Sequence, residues 1–121
     1  MHPRELHLDT LLAKAGCAPD PATGAVVSPP YLSTTFERDP DGSYPRGYIY
    51  SRHDNPTRHQ LESTLAQLEG GQDCATFASG MAAATALLQA LEPDSHVLIP
   101  DDIYYGVRNL LENVFANQGL H

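Results

Sequence analysis

Two short runs hold the residues best suited to chemistry. The first is Tyr48-Ile49-Tyr50-Ser51-Arg52-His53-Asp54-Asn55-Pro56-Thr57-Arg58. In extended backbone Tyr50 and Arg52 point to the same side, because side chains alternate. A phenol and a guanidinium on one face suit a phosphate, which arginine grips through two oxygens. An ordinary surface pair has the same spacing. The second run, Thr76-Phe77-Ala78-Ser79-Gly80-Met81, joins an apolar stretch to an apolar helix through Ser-Gly. A helix start presents unbonded N–H groups and the positive end of the dipole to an anion. Gly80 lets a ligand approach the backbone with no Cβ in the way. The plainer reading makes Ser79 an N-cap and nothing more.

A third candidate is Asp101-Asp102-Ile103-Tyr104-Tyr105, which follows the stretch His96–Ile99. In open α/β sheets ligands sit beyond the carboxyl ends of the strands, and an aromatic there stacks on a flat ligand. The alternative gives Asp102 a helix-capping role and lets the tyrosines pack. Adjacent aspartates face apart, so they make a poor metal pair. The six histidines (His2, His7, His53, His59, His96 and His121) have no ligand spacing either. Cys17 and Cys74 read as free thiols of a reducing compartment, Cys74 as a small core residue.

These residues need elements to hold them. Leu6, Leu8, Leu11, Leu12 and Ala15 form a weak helical stripe that stops at Gly16. Residues 17–47 carry six prolines and three glycines, which exclude a long helix or a central strand. The segment reads as an arm lying on something else, such as a second subunit. Asn55-Pro56 is a helix start, with a capping side chain and then proline at the first helical position. Leu61, Leu65 and Leu68 make one stripe of that helix, and Gly70-Gly71 end it. Cys74–Ala78 reads as a short buried strand. Met81–Leu91 reads as a helix buried on most faces, His96–Ile99 as a second strand, and Tyr104–Asn117 as a further helix. This alternation predicts an α/β fold with a largely parallel sheet. A third strand is expected where the chain reaches Gln118–His121.

Composition narrows the classes. The chain has 121 residues, enough for one small domain. A net charge of −8, from 15 acidic and 7 basic residues, argues against nucleic acid and anionic membrane surfaces. No apolar run is long enough to span a bilayer, and Met1–His7 has no apolar signal core. The expectation is a soluble, cytoplasmic protein.

Several ordered motifs together give a resemblance. They are Asp20-Pro21-Ala22-Thr23-Gly24-Ala25-Val26, Ser33-Thr34-Thr35-Phe36, Tyr50-Ser51-Arg52 with Asn55-Pro56-Thr57, Leu68-Glu69-Gly70-Gly71, Ser79-Gly80-Met81 and Asp101-Asp102-Ile103-Tyr104. With them the chain resembles the N-terminal third of the Cys/Met-metabolism enzymes that use pyridoxal phosphate, such as cystathionine γ-synthase, cystathionine lyases and homoserine sulfhydrylases. The resemblance implies an aspartate aminotransferase-like, fold type I large domain, here incomplete over residues 56–121, behind an extended dimer-clasping arm over residues 1–55. It implies that Tyr50 and Arg52 reach across an interface to the cofactor phosphate of a neighbouring subunit, in a homodimer or homotetramer. Ser79, Gly80 and Met81 then hold the phosphate of their own subunit. Tyr104 stacks on the pyridine ring and is the catalytic position within this stretch. The implied substrates are sulfur-containing amino acids, eliminated or replaced at the β- or γ-carbon. Later strands of such a fold lie between the two predicted here.

Two departures stand out. Members carry two glycines after the stacking tyrosine, whereas this chain has Tyr105 and Gly106, a change at the substrate entrance. The lysine that carries the cofactor and the aspartate that pairs with its ring nitrogen match nothing here. The single lysine, Lys14, lies in the arm. The chain by itself is therefore expected to turn over no substrate. The competing readings are a non-catalytic remnant or interaction module that docks on a full-length paralogue, and an aminotransferase-type relative.

Overall fold

The computed structural model describes residues 7–17 and 19–121. Leu6 of the first stripe, His2 and most of the Met1–His7 run lie outside them. The chain separates into two units, the first ending at Ala75 and the second running over Thr76–His121.

The first unit is an irregular arm laid along one long helix. Helix α1 covers Leu8–Ala13 and packs on α2, Pro56–Glu69. Both ends of α2 are set by local chemistry. Asn55 accepts from the Thr57 N–H at 2.9 Å, Pro56 opens the first turn, and Gly70 closes the last one at φ 65°, where a side chain would be strained. Only Ala66 of α2 is buried. Of its expected apolar stripe, Leu65 and Leu68 are half-buried and Leu61 is 52% exposed, so the stripe is only partly covered within the unit.

The arm is held to α2 by polar contacts. Tyr31 N–H donates to Thr57 Oγ1 at 2.9 Å, and Gln60 Nε2 donates to Ser28 Oγ at 3.2 Å. Two tight turns shape the arm further. Asp20 accepts from the Ala22 N–H and the Thr23 hydroxyl, and Asp41 from the Ser43 N–H and hydroxyl. Those hydrogen bonds, the Thr23 hydroxyl foremost at Asp20 and the Ser43 N–H at Asp41, hold both carboxyls below the usual carboxylate range. Beyond the turns, segments 34–36 and 49–51 run antiparallel about the Thr35–Tyr50 pair. Their bonds are Phe36 N–H to Ile49 O at 3.2 Å and Ser51 N–H to Thr34 O at 2.8 Å.

The second unit carries α3, Gly80–Gln89, and α4, Tyr105–Leu110, which pack together. After α4 the chain turns on through a π-helical segment, Leu111–Phe115, and a 3₁₀ turn, Ala116–Gln118. The predicted helix over 104–117 is thus one helical run of changing pitch. Its core is small: Leu88, Phe115 and Leu120 are buried, with Val97, Leu110 and Leu111 against them.

Two expectations about burial fail here. Leu88 is the only buried residue of α3, and Leu87 is 67% exposed, so that helix is not covered on most faces. A unit this small has too little chain to surround an apolar helix. Cys74–Ala78 is not the buried strand expected either, although the absence of a ladder between it and His96–Ile99 among the described residues accords with the expectation that later strands lie between them. Cys74 is half-buried, Phe77 is 46% exposed and Leu98 is fully exposed. A strand exists only by pairing, and local sequence supplies no partner.

One trace of pairing is present. His121 N–H donates to Ser95 O at 3.0 Å, and Val97 N–H donates to His121 O at 2.7 Å. One residue bonding on both sides of His96 in this way is the parallel pattern. The chain therefore returns beside His96 in the sense expected of a third strand. No helix among the described residues is long and apolar enough to cross a membrane.

Candidate functional site

In the first unit the sequence-predicted pair does meet. Arg52 Nη2 donates to Tyr50 Oη at 3.1 Å, and the guanidinium lies 5.2 Å from the Tyr50 ring centre. Both residues are exposed. Among the described residues no carboxylate pairs with Arg52, in a chain with 15 acidic side chains. Its fork keeps most of its donors for something else.

The backbone beneath this pair is pinned by a residue that carried no role in the sequence reading. Arg58, on the first turn of α2, donates to the carbonyls of Ser51 at 3.4 Å, Arg52 at 3.3 Å and His53 at 2.5 Å. It is held from either side by Asp54 at 3.4 Å and Glu62 at 3.7 Å. The acid–base–acid spacing of four was the signal for it in the sequence. Tyr48 packs its ring on Phe36, 5.3 Å between centres. Burial first, then the Asp54 carboxylate and Tyr31, push its phenol above the usual tyrosine value, so it stays neutral.

In the second unit Ser79 is extended, at φ −156° and ψ 157°, and its Oγ accepts from the Ala82 N–H at 3.1 Å. The plain capping role is therefore real. It uses an oxygen lone pair and leaves the hydroxyl proton to donate. The cap stops at Ala82. The N–H groups of Gly80 and Met81 meet no acceptor among the described residues, and a methyl group on Gly80 would find nothing within 4 Å. Two aligned donors at the positive end of a ten-residue helix, open to approach, can hold an anion.

Tyr104 precedes α4. No side chain caps that helix, so Asp102 does not take the capping role weighed for it. Instead Arg108 reaches back from α4 to the Asp101 carbonyl, with the Asp101 carboxylate at 3.5 Å, and closes the loop from below. Tyr104 is 69% exposed and Tyr105 76%. The Tyr104 ring folds over Gly106, beside the Met81 sulfur: a methyl group built on Gly106 would lie 2.6 Å from Tyr104 Cε1 and 3.0 Å from Met81 Sδ. An exposed aromatic ring thus stands next to the residue whose N–H is free. The combination fits a flat, phosphate-bearing molecule: donors for the phosphate and a ring for the plane.

The chain is similar to a group of known proteins. The profile of the Cys/Met metabolism PLP-dependent enzyme family matches residues 9–121. The chain is 46% identical over 111 residues to a cystathionine beta-lyase of Coxiella burnetii, covering 92% of this chain and 28% of that protein. It is 50% identical over 103 residues to a cystathionine gamma-synthase of Mycobacterium tuberculosis, covering 84% of this chain and 26% of that protein. Its structure is similar to that of the cystathionine gamma synthase of Xanthomonas oryzae pv. oryzae solved in complex with cystathionine, with a TM-score of 0.84 and 35% identity. That match covers 95% of this chain and 30% of the other. The chain thus spans less than a third of the length of the relatives it matches, and over that span its fold is the fold type I architecture of pyridoxal-phosphate enzymes. It belongs to the Cys/Met metabolism PLP-dependent enzyme family.

Proposed function

We propose that this chain is the N-terminal portion of a pyridoxal-phosphate enzyme that makes or breaks carbon–sulfur bonds in sulfur-containing amino acids. The observation that carries the reading is the pair of unbonded N–H groups at Gly80 and Met81 with the Tyr104 ring beside them. In this reading Gly80 and Met81 donate to the phosphate through the backbone, and the Ser79 hydroxyl adds a third donor. Tyr104 lies against the face of the ring and keeps water from it. Tyr50 and Arg52 serve the phosphate of a second copy, from an arm over residues 1–55 that clasps it. Residues 56–121 then open the cofactor domain, in a homodimer or homotetramer of the cytoplasm. When bound, the cofactor supplies an electron sink for the α-carbon of the amino acid.

The chain's own residues bind and orient. Its one lysine, Lys14, caps the C-terminal end of α1 in the arm, in a different unit from Gly80. Lys14 matches no part of the family's site, so in this reading the lysine comes from elsewhere in the polypeptide and the 121-residue chain alone is inactive. The complete polypeptide with pyridoxal phosphate is expected either to release a free thiol, a 2-oxo acid and ammonia from cystathionine, or to join a thiol to an activated amino acid by replacement at its side chain, and the chain alone to do neither. Products of amino-group exchange only would replace this reading with the aminotransferase type. Tight binding to a full-length relative with no turnover in any form would replace it with a docking module.

A further inference from the structure

Gly80 and Gly106 flank the same candidate site but differ in what surrounds them. Around Gly80 there is open space. Above Gly106 there is not: a methyl group there would meet Tyr104 Cε1 at 2.6 Å, Met81 Sδ at 3.0 Å and Tyr104 Cδ1 at 3.2 Å. Real Cβ atoms do not come that close to a ring carbon, so the ring would have to shift from this place. Backbone conformation does not explain this glycine. Its φ is not among the positive ones, and it stands in the first turn of α4, where glycine is a poorer helix former than alanine. The remaining reason for its presence is the space it gives the ring.

Resting on the reading above, we infer that Gly106 is a positioning residue, whose bare Cα seats the Tyr104 ring against Met81 at the start of α3. It touches no ligand itself and acts through the ring. Tyr104 is mostly exposed and can swing away into solvent, so an alanine at 106 moves the ring without unfolding the helix.

The test is a double-mutant cycle in the complete polypeptide that carries this chain, with Gly106→Ala, Tyr104→Ala and both together. Three quantities are read: melting temperature without cofactor, Kd for pyridoxal phosphate by equilibrium dialysis, and circular dichroism of the bound cofactor. Gly106→Ala is expected to leave the melting temperature unchanged or slightly raised. It should weaken binding roughly three- to tenfold, the worth of one ring stack, and alter the dichroism. In the Tyr104→Ala background the same substitution should change nothing further. An equal loss in both backgrounds would make Gly106 merely structural, and so would normal binding by Gly106→Ala when Tyr104→Ala binds weakly. Either result overturns the inference and leaves the site standing. Undiminished binding by Tyr104→Ala overturns the site itself. Should Gly106→Ala fail to fold, folding restored in the double variant supports the seat, and folding still absent contradicts it.

Discussion

Replacing Arg52 with alanine in the complete polypeptide weakens pyridoxal phosphate binding by about 30- to 100-fold, corresponding to the ~2–3 kcal/mol of a lost charge-assisted pair of hydrogen bonds. The direction follows from what Arg52 does not do within the chain. It is exposed, pairs with no carboxylate among the described residues, and spends one donor on Tyr50. Its backbone is positioned by Arg58, which is unaffected by the substitution. The fold therefore loses little, and the melting temperature without cofactor should move by no more than a degree or two, as for other exposed substitutions. Arg52→Lys restores the charge but not the planar fork, so it should recover only part of the affinity. A mixture of subunits sharpens the test. If Arg52 serves a second copy, a subunit defective at Arg52 and one defective at Gly80 can complement each other in a hybrid dimer. Equal affinity for wild type and Arg52→Ala at low salt would remove Arg52 from the site.

The largest effect on stability is expected at Asn55. It is 8% exposed and forms a four-bond junction. Its Oδ1 accepts from Thr57 N–H at 2.9 Å, and its Nδ2 donates to the Tyr31 carbonyl and to Ser51 Oγ, both at 3.0 Å. Its own N–H donates to Asp54 Oδ1 at 2.7 Å. Alanine removes the helix cap, worth about 1 kcal/mol, and the two side-chain donations, about 1 kcal/mol each with acceptors left half-buried. The sum is a loss of about 3 kcal/mol, read as a lower urea midpoint and faster amide exchange at Tyr31 and Thr57. Asn55→Asp keeps the cap acceptor but sets a carboxylate oxygen against the Tyr31 carbonyl, so it should remain well below wild type. A loss of only about 1 kcal/mol for alanine would mean that the cap alone matters and that the arm is not tied to α2 through this residue.

Asn55 also shows where sequence was informative and where it was silent. Its capping role, Pro56 behind it and Gly70 at the far end are local events, fixed within a turn of chain, and α2 has the bounds that those residues imply. Its bond to Tyr31 spans 24 residues, and no periodicity reports such a contact. The same division holds at the candidate site. The Ser79 cap follows from its position before an apolar helix. Alternation in extended backbone predicts that Tyr50 and Arg52 meet, but residues 51–53 form a turn, with the His53 and Asp54 N–H groups donating to Tyr50 O, and the two side chains meet across that turn. The seating of Tyr104 on Gly106 beside Met81 joins two helices and was not readable.

The two strand-like segments show where local sequence stops being informative. Cys74–Ala78 and His96–Ile99 have strand composition, yet Leu98 is fully exposed and only His121 begins to pair beside His96. Composition reports what a segment favours; a ladder and a buried face need neighbours. The same lack of covering layers leaves Leu87 of α3 and Leu61 of α2 in solvent. The alternation of elements and the ordered motifs nonetheless pointed to the family that the comparisons establish.

The central claim is that the start of α3 is a phosphate cradle. The direct measurement is a crystal structure of the complete polypeptide grown with pyridoxal phosphate. The account predicts phosphate oxygens within about 2.7–3.2 Å of the Gly80 and Met81 nitrogens, with the Tyr104 ring against the pyridine and Arg52 arriving from a second copy. A phosphate bound elsewhere, with the Gly80 and Met81 amides facing only water, would contradict it.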